Sequence, residues 1–398
     1  MRTVMRNPFL SGVHVILGGA FLWAGVAGAD VASDRPAALL VVPKVVYNTD
    51  PRYSPNLKPS DTEIQITNVS EEPIKVKCFY VNANAHCSNN PLSVCYTNAD
   101  CQQFGLGGLC FAGWIETDFE FTLSPNQPIV WRAGEGLTNL PLADTGQNEG
   151  SIPAVSEDPF RGELKCIAVG PDDEPVDRND LKGEATIVAA SADGIDARAY
   201  NAIGIQALPD ANNGDNTLVI GGEDDPEYNG CPAVVIVDHF YDDAVEPIDG
   251  DILKSHLTCV PCSQNFEFQT VALFPTTLQF LLFNEFEQRF SASRPLRCWA
   301  EWELCSIDQK WDRPIGNFDP EFNSCQRSIF SAFVSGTLTG QFRVRGVDDG
   351  SDEHGNGVLC VLEEFFRTTE SLSSIRSSTA ANTHQIGERS DTDFWEMP

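Results

Sequence analysis

Positive charge is what this chain has least of. Its 398 residues carry 26 Lys and Arg against 57 Asp and Glu, a formal net charge of −31. An acidic surface of that size repels phosphate backbones and anionic headgroups, which argues against nucleic acid as a partner. Histidine is scarce too, with six at positions 14, 86, 239, 256, 354 and 384. No two of them show the H-E-x-x-H spacing of a zinc hydrolase, and no G-x-S-x-G elbow presents a nucleophilic serine. No catalytic residue is assigned. Beyond the N-terminal region no apolar run is long enough to span a membrane. Methionine is rare (3 against 24 Phe), and no helical stripe of apolar residues exceeds about three turns. The apolar segments that remain are short and cut by Gly, Pro, Asn and Asp, the pattern of strands. The chain is expected to be all-β.

The N-terminus points to a compartment. Arg2 and Arg6 precede an apolar run from Val13 to Val26, and Ala27-Gly28-Ala29 supplies the small residues of a cleavage site. This layout is that of a secretory signal peptide over residues 1–29, removed before Asp30. A membrane anchor is the competing reading, but the run is short and broken by Gly18, Gly19 and Gly25. The protein is therefore expected to be secreted or periplasmic, or on the extracellular surface. From Asp30 onward it keeps all 57 acidic and 24 basic residues, a formal charge of −33.

Two domains are expected, 30–208 and 231–398, with an acidic, Gly-rich linker over 209–230. In the first, Thr62, Ile64 and Ile66 alternate with Glu63, Gln65 and Thr67, giving a strand with one wet face. Asn68 begins a turn and Ile74, Val76, Cys78 and Tyr80 resume the alternation. Asn68-Val69-Ser70 also matches a glycosylation sequon, although the turn already accounts for it. GELKCIAV (162–169) and GEATIV (183–188) are expected to pair around an acidic turn. An insertion over 87–110 holds Cys87, Cys95, Cys101 and Cys110 among Asn, Gly and Ser. Their C-x7-C-x5-C-x8-C spacing lacks a zinc knuckle and favours two local disulfides over a four-Cys metal site. As an exposed, stapled knob it is also a candidate contact surface, with a decorative loop as the plainer reading. In the second domain, Cys231–Asp238 is apolar enough to be covered on both faces.

The stretch LQFLLFNEFEQRFSASRPLRCWAEW, from Leu278 to Trp302, repeats the earlier pattern TEIQITNVSEEPIKVKCFY. In both, an alternating strand ends in Asn, an acidic turn follows, and a basic residue precedes Cys and an aromatic. Val41-Val42-Pro43 matches Cys259-Val260-Pro261, and the Cys166 segment matches the Cys360 segment. An internal duplication follows, and with it equivalent disulfides Cys78–Cys166 and Cys298–Cys360. Cys305 and Cys325 would close an excursion, and Cys231 would pair with Cys259 or Cys262. Thirteen Cys is an odd number, which leaves one thiol, most simply in the Cys259/Cys262 pair. The strand–Asn–acidic turn–Pro–strand pattern resembles the early hairpin of immunoglobulin-like modules in bacterial exported proteins. That resemblance implies two tandem immunoglobulin-like β-sandwich domains, and it carries over no functional residue.

Several residues invite sharper readings. Cys259-Val260-Pro261-Cys262 has redox spacing, but it lies between β segments rather than at a helix start. Asp238-His239 is a possible acid–base or ligand pair, and a satisfied strand-end histidine explains it as well. Trp299, Trp302, Trp311 and Trp395 would form a carbohydrate platform if exposed, or core if not. Asp348, Asp349, Asp352 and Glu353 supply hard oxygens for calcium in VDDGSDEHGNG, without the EF-hand order. DANNGDN (210–216) is a weaker candidate. The expected role is structural, adhesive or binding, toward a surface protein or carbohydrate, with possible self-association. The alternatives are an extracellular polysaccharide-acting hydrolase and a calcium-dependent surface-layer or appendage subunit.

Overall fold

The computed structural model describes residues 31–398 apart from 50–58, 96–97, 113–114, 147, 149, 192–193, 210–212, 224, 242–243, 246–251, 268–275, 285–286, 288, 305–306, 308–338, 348–353 and 368–374. The expected signal peptide, Cys305, Cys325, Trp311 and the calcium candidates Asp348, Asp349, Asp352 and Glu353 lie outside these residues. The described chain is almost entirely β, in several antiparallel sheets, and holds five disulfides.

Alternation builds the first half. Ser60–Asn68 buries Thr62, Ile64 and Ile66, and Pro128–Arg132 buries Ile129 and Trp131 beside it. With Leu181–Ser191 and Gly194–Asn201 they form a four-stranded sheet. The facing six-stranded sheet is centred on Leu39–Tyr47, Phe160–Val169 and Ile74–Asn82. Between the sheets, Trp131 Nε1 donates to the Tyr80 hydroxyl at 2.6 Å, and Phe119 and Phe121 pack edge-on to the indole. Aromatic contacts of this kind add to the area they bury.

The expected pairing of 162–169 with 183–188 does not form. The two segments sit in opposite sheets. Phe160–Val169 is buried along all ten residues. One of its faces, with Leu164 and Cys166, meets Tyr80 and Cys78 in the core; the other carries Glu163 and Lys165 beside Val81 and Phe79. That second face is covered by the C-terminal half, where Phe266 stacks on Phe79 at 4.0 Å. A single apolar cluster therefore includes Cys78 and Phe79 together with Val260, Phe266, Trp299, Val361 and Trp395.

The second half stacks two five-stranded sheets around Val235, Leu257, Phe280, Phe342 and Val344. Thr217–Ile220, inside the expected linker, pairs with the C-terminal strand Asp393–Glu396, which also runs parallel to Gln264–Asn265. Pro232–Tyr241 is half-buried rather than covered on both faces: Val235 and Val237 point in, while Val234 and Ile236 are partly exposed.

The two segments matched in sequence behave differently. Ser60–Asn68 and Ile74–Asn82 separate into opposite sheets, whereas Thr276–Asn284 and Arg289–Leu296 fold back on each other as a hairpin. The disulfides follow the ladders. Cys78 lies opposite Cys166 and is bonded to it, and Cys259 lies opposite Cys360 and is bonded to it. Cys298 is free and buried, so the expected Cys298–Cys360 bridge is replaced by Cys259–Cys360. The reason is positional. Cys298 follows the hairpin and packs toward the first half, while Ile252–Pro261 takes the ladder position beside Val358–Arg367. Cys231 bonds Cys262, so neither member of the C-x-x-C pair is the spare thiol.

Candidate functional site

The Cys-rich insertion forms a knob on the rim of the first sandwich. Ala85–Cys87, Asn90–Val94 and Cys110–Ala112 make a small sheet, and Asn98–Gln102 adds one helical turn. Sequence explains why it needs staples: its own core is Ala85 and the four cysteines. Cys87–Cys101 and Cys95–Cys110 close it, limiting the unfolded freedom of a loop that buries little apolar surface. Gly107 takes a φ of 88°, and a Cβ on Gly108 would lie 2.7 Å from the Cys101 carbonyl oxygen, so the tip depends on glycine at both.

The knob is unlike the rest of the surface in two ways. Asp100 is its only formally charged side chain between Ala85 and Ala112, in a chain of net charge −31. It also concentrates apolar exposure. Of the eleven exposed large hydrophobic residues among those described, five are Leu92, Phe104, Leu106, Leu109 and Phe111. Depletion of charge together with aromatic and aliphatic exposure is the composition of an interface core.

The knob is fixed to the body through a polar root. Glu157 accepts from Asn82 Nδ2 at 2.6 Å and contacts His86 Nε2 at 2.9 Å, and Asn84 donates to the Pro159 carbonyl at 2.6 Å. Burial raises the Glu157 carboxyl, but the bonds from His86, Asn84 and Asn82 outweigh it and hold it below its usual range. The knob is thus clamped in one orientation.

A second cluster of ionisable groups lies where the halves meet. Pro43 falls at a register shift in an otherwise paired strand, and the bulge turns Lys44 toward the second half. Lys44 Nζ contacts Glu301 at 2.8 Å and also bonds Glu363; Glu363 accepts from Arg198 Nε at 2.8 Å, and His256 Nδ1 lies 3.0 Å from Glu301. Burial raises the Glu301 carboxyl, yet Lys44 and then His256 outweigh it and leave it well below the ordinary carboxylate range. Arg198 also bonds Ser378 at 2.9 Å, and Trp299 Nε1 donates to the Pro43 carbonyl at 2.9 Å. All these side chains are buried, so the cluster fastens the halves together. Sequence reading missed it because Lys44 lies 257 and 319 residues from its two carboxylates.

The other sequence candidates are dispersed. Asp238 pairs with His384 at 2.8 Å on the exposed surface. Trp299 and Trp395 are buried, and Trp302 packs edge-on to Phe280, so these three do not form a platform. Asn68 is fully buried and its amide donates to Glu72 and Ser124 carbonyls, which closes it to glycosylation. Cys87, Cys95 and Cys101, and separately Cys231, Cys262 and Asp393, gather within metal-binding range, but every one of these sulfurs is spent in a disulfide. No helix among the described residues is long and apolar enough to cross a membrane. In comparison with known families and curated proteins, the chain matches none.

Proposed function

We propose that this is a secreted structural or adhesive protein of the cell surface or periplasm, which makes its contacts through the stapled knob. The carrying observation is the knob itself: an apolar-tipped projection with a single formal charge on a strongly acidic body, held by two disulfides and the Glu157 clamp. Rigidity lowers the entropy that binding must overcome. The same body is read as two related immunoglobulin-like modules. That reading is supported by the two-sheet, antiparallel build of each half.

The occupant is a second copy of this chain. Two acidic bodies repel at most approaches, and contact at the charge-poor knobs holds those bodies apart. A patch of five side chains sits at the small end of specific interfaces, so the association is weak and reversible. Sedimentation velocity across a concentration series tests this on the mature, oxidised chain. Wild type should show concentration-dependent dimer, and Leu106→Asp/Phe111→Asp should remain monomeric with unchanged melting temperature. A wild type that stays monomeric throughout, or a variant that associates equally, overturns the reading.

A further inference from the structure

Glu163 and Lys165 stand two residues apart on the fully buried Phe160–Val169 strand, and both are themselves completely buried. Two charged groups taken out of water need good mutual geometry and further hydrogen bonds to offset their desolvation. Here Glu163 lacks them. The Lys165 amine is 3.3 Å from Glu163 Oε1, and neither Glu163 oxygen has a hydrogen-bond partner of good geometry. An orphaned buried carboxyl of this kind calls for an explanation other than stability.

The third member comes from the other half. Gln264, also buried, places Oε1 2.9 Å from Lys165 Nζ, which further contacts the Pro261 carbonyl at 3.2 Å. A C=O bond is about 1.23 Å, so the amide carbon lies at most about 4.1 Å from the amine. Trp395, whose ring centre is 5.7 Å from Nζ, and the buried Phe266 wall the group off from solvent. A carboxamide 2.9 Å and a carboxyl 3.3 Å from one amine are thereby gathered in a buried site.

We propose that Lys165 and Gln264 become joined by an intramolecular isopeptide bond, with Glu163 as the acid–base group that promotes its formation. Burial lowers the Lys165 amine and raises Glu163 to about 7, which favours the neutral amine beside the neutral acid. The amine lone pair attacks Gln264 Cδ, and the carbonyl π electrons move to Oε1. Glu163 gives its proton to the departing Nε2 and takes on its other oxygen the proton released by Nζ. The Cδ–Nε2 bond breaks, ammonia leaves, the carbonyl re-forms, and Glu163 ends protonated as it began. No oxidant or co-substrate is consumed. The described disulfides each stay within one half; this bond crosses between them.

Intact-mass measurement of the purified, oxidised chain decides the matter. The wild type should be lighter than its disulfide-bonded sequence by one ammonia, and digestion should release a branched peptide joining Lys165 to Gln264. The branched peptide separates this loss from succinimide formation at Asn–Gly sites. Glu163→Gln and Lys165→Met should both restore the full mass. A wild type at full mass, or a loss of ammonia without the branched peptide, overturns the proposal whether or not either variant folds. As a second readout, wild type cleaved between residues 209 and 230 and then reduced should run as one band on a denaturing gel. Two bands would refute the crosslink.

Discussion

Lys44→Met tests the interface cluster most directly. The substitution keeps the aliphatic stem and removes the ammonium that lies between Glu301 and Glu363. Stripping one partner from a buried ion pair costs about 3–5 kcal/mol, because the remaining charge is left uncompensated. Two contacts soften the loss here: Glu363 keeps Arg198 at 2.8 Å and Glu301 keeps His256 at 3.0 Å. The lower end, about 3 kcal/mol, is therefore expected. Urea unfolding followed by tryptophan fluorescence measures it, and Lys44→Met/Glu301→Gln should recover much of the deficit by removing both charges. The pH dependence gives an independent reading. The Glu301 carboxyl is held below its unfolded value, so its contribution is complete above about pH 4.3 and fades as pH falls through the folded value. The gap between wild type and Lys44→Met should narrow over that acidic range, since the wild type loses what the variant never had. A deficit under about 1 kcal/mol, as for a solvent-screened surface pair, or a gap constant with pH, would refute a buried, charge-dependent lock.

Other expectations rest on separate features. Replacing Cys78 and Cys166 by Ala opens a loop of 88 residues and should cost about 4–5 kcal/mol on the chain-entropy scale, read from the same urea curves. Replacing the four knob cysteines by Ser should leave the main melting transition in place but make 88–109 the first site of limited proteolysis, because that segment's core is little more than its sulfurs. Burial pushes the Cys298 thiol up to about 12, so alkylation mapped by mass spectrometry should miss Cys298 in the native protein and find it in urea. Glu157 is held below its usual range; its clamp is therefore whole above about pH 4.3 and released as pH falls through the folded value, which hydrogen exchange over 85–112 should report as lost protection in acid relative to the intrinsic rate at the same pH.

How much of this was legible depended on how far apart the partners lie. Thr62 to Ile66 was readable because strand alternation is local and one face is wet. The knob was readable as a stapled loop for the same reason, its disulfides spanning only 14 and 15 residues. The Cys360 partner was not. It lies 101 residues away, and the similarity between the Cys78 and Cys298 segments concealed the fact that one splits between sheets while the other closes as a hairpin. Gly-Glu-Leu-Lys-Cys at 162–166 shows a deeper limit. Its alternation reads as a strand with a solvated charged face, yet that face is where the C-terminal half docks, and Glu163 and Lys165 end with no exposure at all. A pattern rule assumes that polar residues mark water. Here they mark the contact between two halves, and a strand that buries charge at such a contact must neutralise it, pair it or react it away. Lys44 with Glu301 and Glu363 is the paired solution. Glu163, left without a good hydrogen bond beside an amine that itself meets an amide, is a place where pairing at this contact is incomplete, and so a place where chemistry between the halves is to be looked for.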